Sequence, residues 1–141
     1  MPRVHLTRVV EFEATHRIRR SDKSDAENLA AFGKAATDHA HRYQVRVTVR
    51  GPLVAEAGGV VNLNALDRVL KEEITDRLGA GGGHINAALP EFADGHRLAT
   101  GEALAVYFWE RIAARLPPGV TLHAVRVQES PHLYSEYFGE G

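Results

Sequence analysis

The segment His39-Ala40-His41 carries the first chemistry visible in the chain. Side chains two apart on an extended strand share a face, so both imidazoles can reach one ion. The chain has eight histidines and no cysteine. That removes disulfides, thiolate zinc sites and cysteine nucleophiles together, and leaves imidazole as the natural metal ligand. His16 closes an earlier alternating run, and strand pairing can bring it beside the other two. Three imidazoles with an open fourth position form the ligand set of a catalytic zinc, which polarises substrate oxygens or water. Two plainer readings stand beside it: paired histidines on a solvent face, and a metal other than zinc, because three imidazoles do not select zinc by themselves.

The elements that must position these residues follow from periodicity. From Val4 to His16, Leu6, Val10, Phe12 and Ala14 share one parity, which predicts a strand. Ser24-Asp25-Ala26-Glu27 has a capping-box pattern ahead of Leu29 and Phe32, predicting a short helix that ends at Gly33. From His41 to Arg50, Tyr43, Val45, Val47 and Val49 interleave with Arg42, Gln44, Arg46 and Thr48, a strand with one dry and one basic face. Gly58-Gly59 predicts a turn. Asn62 caps a helix whose apolar positions Leu63, Leu66, Val69, Leu70, Ile74 and Leu78 recur at three and four residues, with Gly79 as its stop. The glycine-rich run 79–83 predicts a loop delivering His84-Ile85-Asn86. A second long helix runs from Thr100 to before Pro117-Pro118. Val120 to Gln128 alternates again, placing Thr121, His123, Val125, Val127 and Glu129 on one face, and Leu133 to Phe138 is a final strand. Two strands, two long helices and two strands make an α+β order: a four-stranded antiparallel sheet (β-β-α-α-β-β) with both long helices on one face. Its two open edges call for pairing or cover, which oligomerisation would supply.

Composition narrows the function classes. At 141 residues, residues 1–141 are expected to form one domain. Hydrophobic residues at 44% and charged residues at 25% exclude collagen-like, disordered and coiled-coil classes. With 17 Lys+Arg against 18 Asp+Glu the formal charge is −1, so no global electrostatic case exists for nucleic acid or an anionic membrane. No apolar run approaches the roughly 20 residues of a spanning helix, and the start lacks a signal-peptide core, which places the chain in the cytoplasm as an expectation. His5, His96, His123 and His132 read as surface or structural residues, Trp109 as packing, and the arginines of the second strand as solvated or inter-subunit.

Longer strings are more specific. Phe12-Glu13-Ala14-Thr15-His16-Arg17-Ile18, Asp25-Ala26-Glu27-Asn28-Leu29 with Phe32-Gly33-Lys34, and His39-Ala40-His41-Arg42-Tyr43 resemble, in this order, the 6-pyruvoyl-tetrahydropterin synthase family, which includes the 6-carboxy-tetrahydropterin synthases of deazapurine (queuosine) biosynthesis. The resemblance continues through Gly59-Val60-Val61-Asn62-Leu63, His84-Ile85-Asn86, Thr100-Gly101-Glu102 and Gln128-Glu129-Ser130, covering nearly the whole chain.

The resemblance implies a tunnelling fold in which trimers close into a β-barrel and two trimers stack into a homo-hexamer with sites between subunits. It implies zinc on His16, His39 and His41, and a pterin anchored by Glu129, with Thr100 and Glu102 lining the pocket. An ionised carboxylate at 129 can accept two hydrogen bonds from the 2-amino and ring N–H edge of a pterin. The chain also departs from the pattern. Family members that eliminate triphosphate use a cysteine before the His-x-His as general base, supported by an Asp-His pair; here Ala35 stands at the cysteine position and the pair reads Gly83-His84. Some relatives replace that cysteine by glutamate and cleave the side chain by a retro-aldol reaction instead, and Ala35 is not a glutamate either. His84 acting alone, or Asp38 immediately before His39, is then the expected proton acceptor, Asp38 having a second reading as the partner that orients a zinc-bound imidazole. The expectation is a zinc-dependent lyase acting on 7,8-dihydroneopterin triphosphate or a related dihydropterin, in tetrahydrobiopterin or queuosine biosynthesis, by triphosphate elimination or side-chain cleavage with an altered base. The alternative is a catalytically silent pterin- or purine-binding homologue that keeps metal and pocket.

Overall fold

In the computed structural model, which describes residues 2–54, 56 and 59–141, four strands pair antiparallel in the order β1-β2-β3-β4. β1 is Arg3–His16, β2 His39–Pro52, β3 Thr121–Ser130 and β4 Leu133–Tyr137. The dry face predicted for β2 is the centre of the core: Tyr43, Val45, Val47 and Val49 are fully buried, and Val125 and Val127 of β3 pair with Val47 and Val45 beside them.

The helices cover this face. Helix α1, Asp25–Phe32, starts at a capping box in which Ser24 and Glu27 each accept the other's backbone N–H. Its buried Asn28 takes the Arg20 N–H at 2.7 Å and donates to the carbonyls of Arg20, Lys23 and Ser24, which folds the polar 20–24 loop back on the helix. Helix α2, Leu63–Leu70, is capped by Asn62 accepting from the Ala65 N–H, and continues through a π-helical turn, Lys71–Thr75, into α3, Asp76–Ala80. Leu66, Leu70, Ile74 and Leu78 enter the core from this run, and Leu104, Phe108 and Ile112 enter it from α5, Gly101–Ala113, capped by Thr100.

Several expectations change. Gly79 is helical, and the helix ends instead at Gly81, where a Cβ would sit 2.5 Å from the Cα of Ala88. That close approach, and not flexibility, is what demands glycine. It packs the chain against a short helix absent from the sequence reading, α4, Ile85–Ala88, followed by a 3-10 turn at Pro90–Phe92. α5 stops at Ala113, short of the prolines, although Leu116 still packs on the core. In β3 the alternation breaks at a bulge: Leu122 pairs with Val49 and Ala124 with Thr48, leaving His123 between them. Leu122 therefore packs on the core while His123 lies exposed, its ring 4.3 Å from that of His5. Of the predicted Gly58-Gly59 turn, Gly59 bridges Val54 and Gly58 lies outside the described residues.

Candidate metal and ligand site

The site starts from register. β1 and β2 pair without interruption from Arg3↔Pro52 to His16↔His39, so the last residue of one strand faces the first of the other, with Ala14 opposite His41. His41 is two residues along the same face from His39. The ring centroids of His16 lie 4.4 Å from His39 and 5.2 Å from His41, and His39 lies 4.8 Å from His41. One nitrogen from each ring falls within 4.8 Å of the other two, the only such group of three among the described residues.

Backbone carbonyls orient these rings. His16, with no exposed surface, donates Nδ1–H to the Ala99 carbonyl at 2.8 Å, and His39 donates Nδ1–H to the Thr37 carbonyl at 2.8 Å. Both Nε2 atoms are thereby left as lone-pair donors, the usual outer-shell arrangement of a metal-binding imidazole. Burial, together with the neighbouring imidazoles and against the Ala99 hydrogen bond, lowers the His16 pKa to about 4, so the ring is neutral near pH 7. Burial and then His39 lower His41 as well. His16 Nε2 is buried with no hydrogen-bond partner among the described residues, which a bound cation would satisfy. The cluster thus fits a zinc-type ion in the convergence of its three rings, in the orientation of His16 and His39 and in the unmet Nε2 of His16.

Glu129 is the buried carboxylate beside them. It follows Gln128, which pairs with Gln44, and so lies next to Tyr43 on the inner face; Glu129 Oε1 is 3.8 Å from His16 Nε2. Burial first, then repulsion from Glu102, raises its pKa, with His39 opposing. Glu102 itself is exposed and accepts a hydrogen bond from Ser135 at 3.3 Å. Thr100 Oγ1 accepts the Ala103 N–H at 3.2 Å as the cap of α5, which leaves its O–H and one lone pair for a ligand.

The largest correction concerns His84. A parallel bridge to Thr15 and a hydrogen bond from Thr15 N–H to the Gly83 carbonyl at 2.8 Å seat it beside the end of β1. The sequence expectation left it without a carboxylate partner and set Asp38 against it as a rival. Instead His84 Nε2 lies 3.1 Å from Asp38 Oδ1, so the two form a pair contributed by segments 46 residues apart. Asp38 does not orient His39, which is held by Thr37. The His84 contact first, and Arg17 with it, keep the Asp38 carboxyl below the usual carboxylate range, against burial. Ala35 lies close by, its carbonyl accepting the Ile18 N–H at 2.7 Å, and its methyl carries no transferable proton.

Three contributions escaped the sequence reading. Arg17 reaches Asp38 and Asp94; Asn86 takes the Arg17 N–H at 2.9 Å and donates to the Arg17 carbonyl at 3.2 Å; and Tyr43 brings to the edge of the cluster a buried hydroxyl with no partner among the described residues. The strings His84-Ile85-Asn86 and His16-Arg17 hold Asn86 and Arg17, but nothing local marks their long-range partners. His5, His96, His123 and His132 stand outside the three-histidine group.

A helix-backed antiparallel sheet whose first two strands converge three imidazoles beside a buried glutamate defines a class of α+β proteins built around a candidate histidine centre. Residues 5–140 match the sequence model of the family described as 6-pyruvoyl tetrahydropterin synthase. The chain is 36% identical over 137 residues to the human 6-pyruvoyl tetrahydrobiopterin synthase, covering 96% of this chain and 91% of that protein. It is 36% identical over 140 residues to the Drosophila melanogaster 6-pyruvoyl tetrahydrobiopterin synthase, covering 98% and 81%. In structure it is similar to the Caenorhabditis elegans 6-pyruvoyl tetrahydropterin synthase, with a TM-score of 0.83, 28% identity and coverage of 99% and 98%. A Plasmodium vivax 6-pyruvoyl tetrahydropterin synthase at 14% identity and a TM-score of 0.56 shares the fold. The chain belongs to the 6-pyruvoyl tetrahydropterin synthase family. Among the described residues no helix is long and apolar enough to cross a membrane.

Proposed function

We propose that this chain is a zinc-dependent lyase of pterin metabolism acting on 7,8-dihydroneopterin triphosphate or a related dihydropterin. The observation that carries the reading is the convergence of His16, His39 and His41 beside the buried Glu129. Zinc held by those three histidines supplies Lewis acidity toward the oxygens of the substrate side chain. Glu129 binds and orients the ring through its 2-amino and N–H edge. Thr100 and Glu102 border the same place at the start of α5. His84 Nδ1 accepts the proton that leaves the substrate side chain, Asp38 being already engaged by His84 and Arg17.

The exposed edges of β1 and β4 support assembly into barrel-forming trimers stacked as a homo-hexamer, with residues 1–141 acting as one cytoplasmic tunnelling-fold domain and no nucleic-acid or membrane partner. A second reading, a binding homologue without turnover, is favoured by one observation: Ala35 offers no proton-carrying group. Incubating zinc-loaded protein with 7,8-dihydroneopterin triphosphate and identifying products by mass spectrometry separates the cases. Released triphosphate shows elimination, a lost carbon fragment shows retro-aldol cleavage, and unchanged substrate with tight binding establishes the second reading. His84→Ala should slow the reaction by about 10²- to 10⁴-fold.

A further inference from the structure

The side chain of His84 is the end of a hydrogen-bonded chain drawn from four segments. Asp94, in the loop before α5, grips the Arg17 guanidinium at two points, Nε to Oδ1 at 3.1 Å and Nη2 to Oδ2 at 2.7 Å. The remaining arm, Nη1, reaches Asp38 Oδ1 at 3.1 Å. That same oxygen lies 3.1 Å from His84 Nε2. The backbone of Arg17 is itself pinned, its N–H and carbonyl both bonded to the Asn86 side-chain amide. A guanidinium held by a two-point fork has one orientation, so Asp38 is presented to His84 in one orientation as well.

The consequence is a choice of tautomer. An anionic carboxylate only accepts, so the imidazole nitrogen facing it must carry the hydrogen. The neutral ring of His84 then has Nε2–H bonded to Asp38 and its lone pair on Nδ1. Nδ1 is buried and has no partner among the described residues, while the bridge from Thr15 sets the residue beside His16. The exposure of the ion pairs argues for this use over a stabilising one: the Asp38 side chain is 51% exposed, and exposed pairs contribute little to folding.

We propose that Asp38 and Arg17, anchored by Asp94, are positioning residues that hold His84 in the Nε2–H tautomer with Nδ1 free to accept a proton. This deepens the reading of His84 as the proton acceptor and rests on it. The arrangement supplies from the start of β2 a carboxylate that the residue preceding His84, a glycine, does not have.

The test is two-bond ¹H–¹⁵N correlation spectroscopy on the full chain labelled at histidine nitrogens, first metal-free and then with added zinc. The expected spectrum shows His84 with a protonated Nε2 and a bare Nδ1. Asp38→Ala should shift it to a tautomer mixture, Arg17→Gln should do so in part, and Asp38→Glu should restore the single form. Melting temperatures of Asp38→Ala and Asp38→Glu should stay at the wild-type value, so loss of fold cannot mimic the result. In turnover, kcat of Asp38→Ala should fall about 10- to 100-fold with KM little changed. A wild-type His84 protonated at Nδ1, or an unaltered single tautomer in Asp38→Ala, would overturn the proposal. If wild-type protein leaves 7,8-dihydroneopterin triphosphate unchanged while the tautomer responds as stated, the lyase reading falls and the positioning of His84 stands.

Discussion

Gly101 opens α5 directly against the carboxylate of Glu129: a Cβ at this position would lie 2.7 Å from Glu129 Oε2 and 3.3 Å from Ser135 Oγ. Any side chain there must displace the carboxylate or the helix start. The first turn of α5 therefore sits at Glu129, where the positive end of the helix dipole works against the burial that raises its pKa.

Glu129→Gln and Gly101→Ala should both weaken ligand binding, the first by removing the charge and the second by moving it. Losing a charge-assisted hydrogen bond costs about 1.5–3 kcal/mol, so the dissociation constant for 7,8-dihydroneopterin should rise roughly tenfold or more. Isothermal titration calorimetry measures this directly. Wild-type affinity in Gly101→Ala would show that the contact does not position the carboxylate.

Purified wild-type protein should carry about one zinc per chain by plasma emission spectrometry. His39→Ala and His41→Ala should each abolish stoichiometric metal, because two imidazoles rarely hold zinc against solvent. His123→Ala, on the exposed bulge of β3, should leave the metal content unchanged. Equal metal in all three variants would remove the histidine centre from consideration.

Tyr43 is fully buried and its hydroxyl has no partner among the described residues. Deleting an unsatisfied buried hydroxyl is neutral or stabilising, so Tyr43→Phe should melt at or above the wild-type temperature in metal-free, ligand-free protein. A loss of more than about 1 kcal/mol in urea unfolding would mean that ordered water satisfies the hydroxyl in solution.

Glu73, buried in the π-helical turn, gives a pH dependence. Burial would raise its carboxyl, but the hydrogen bonds from Arg77 at 2.9 Å and Arg115 at 3.0 Å outweigh it, and the net pKa lies below the ordinary value. A carboxyl depressed in the folded state binds its proton more weakly there than in the unfolded chain. Its contribution is therefore complete above the unfolded pKa and disappears as pH falls through the folded one. Glu73→Gln should lose roughly 1–2 kcal/mol at pH 7 and show a flatter decline in stability between pH 5 and pH 3, about the range in which a depressed carboxylate titrates. Urea midpoints across that range provide the check; parallel curves for both proteins would contradict it.

Sequence by itself determined the elements and the chemistry each can carry. The dry face of Tyr43, Val45, Val47 and Val49, the caps at Ser24, Asn62 and Thr100, and the shared face of His39 and His41 all follow from interactions spanning a few residues, and such interactions are written in local order. Tertiary structure alone decided what meets what. The register that sets His16 against His39, the bulge that turns His123 outward, the approach of Gly81 to Ala88 and the meeting of His84 with Asp38 join segments whose separation along the chain carries no periodic signal. They emerge only when burial of the common core brings those segments together, because the free energy that selects them belongs to packing between elements and not to any one of them.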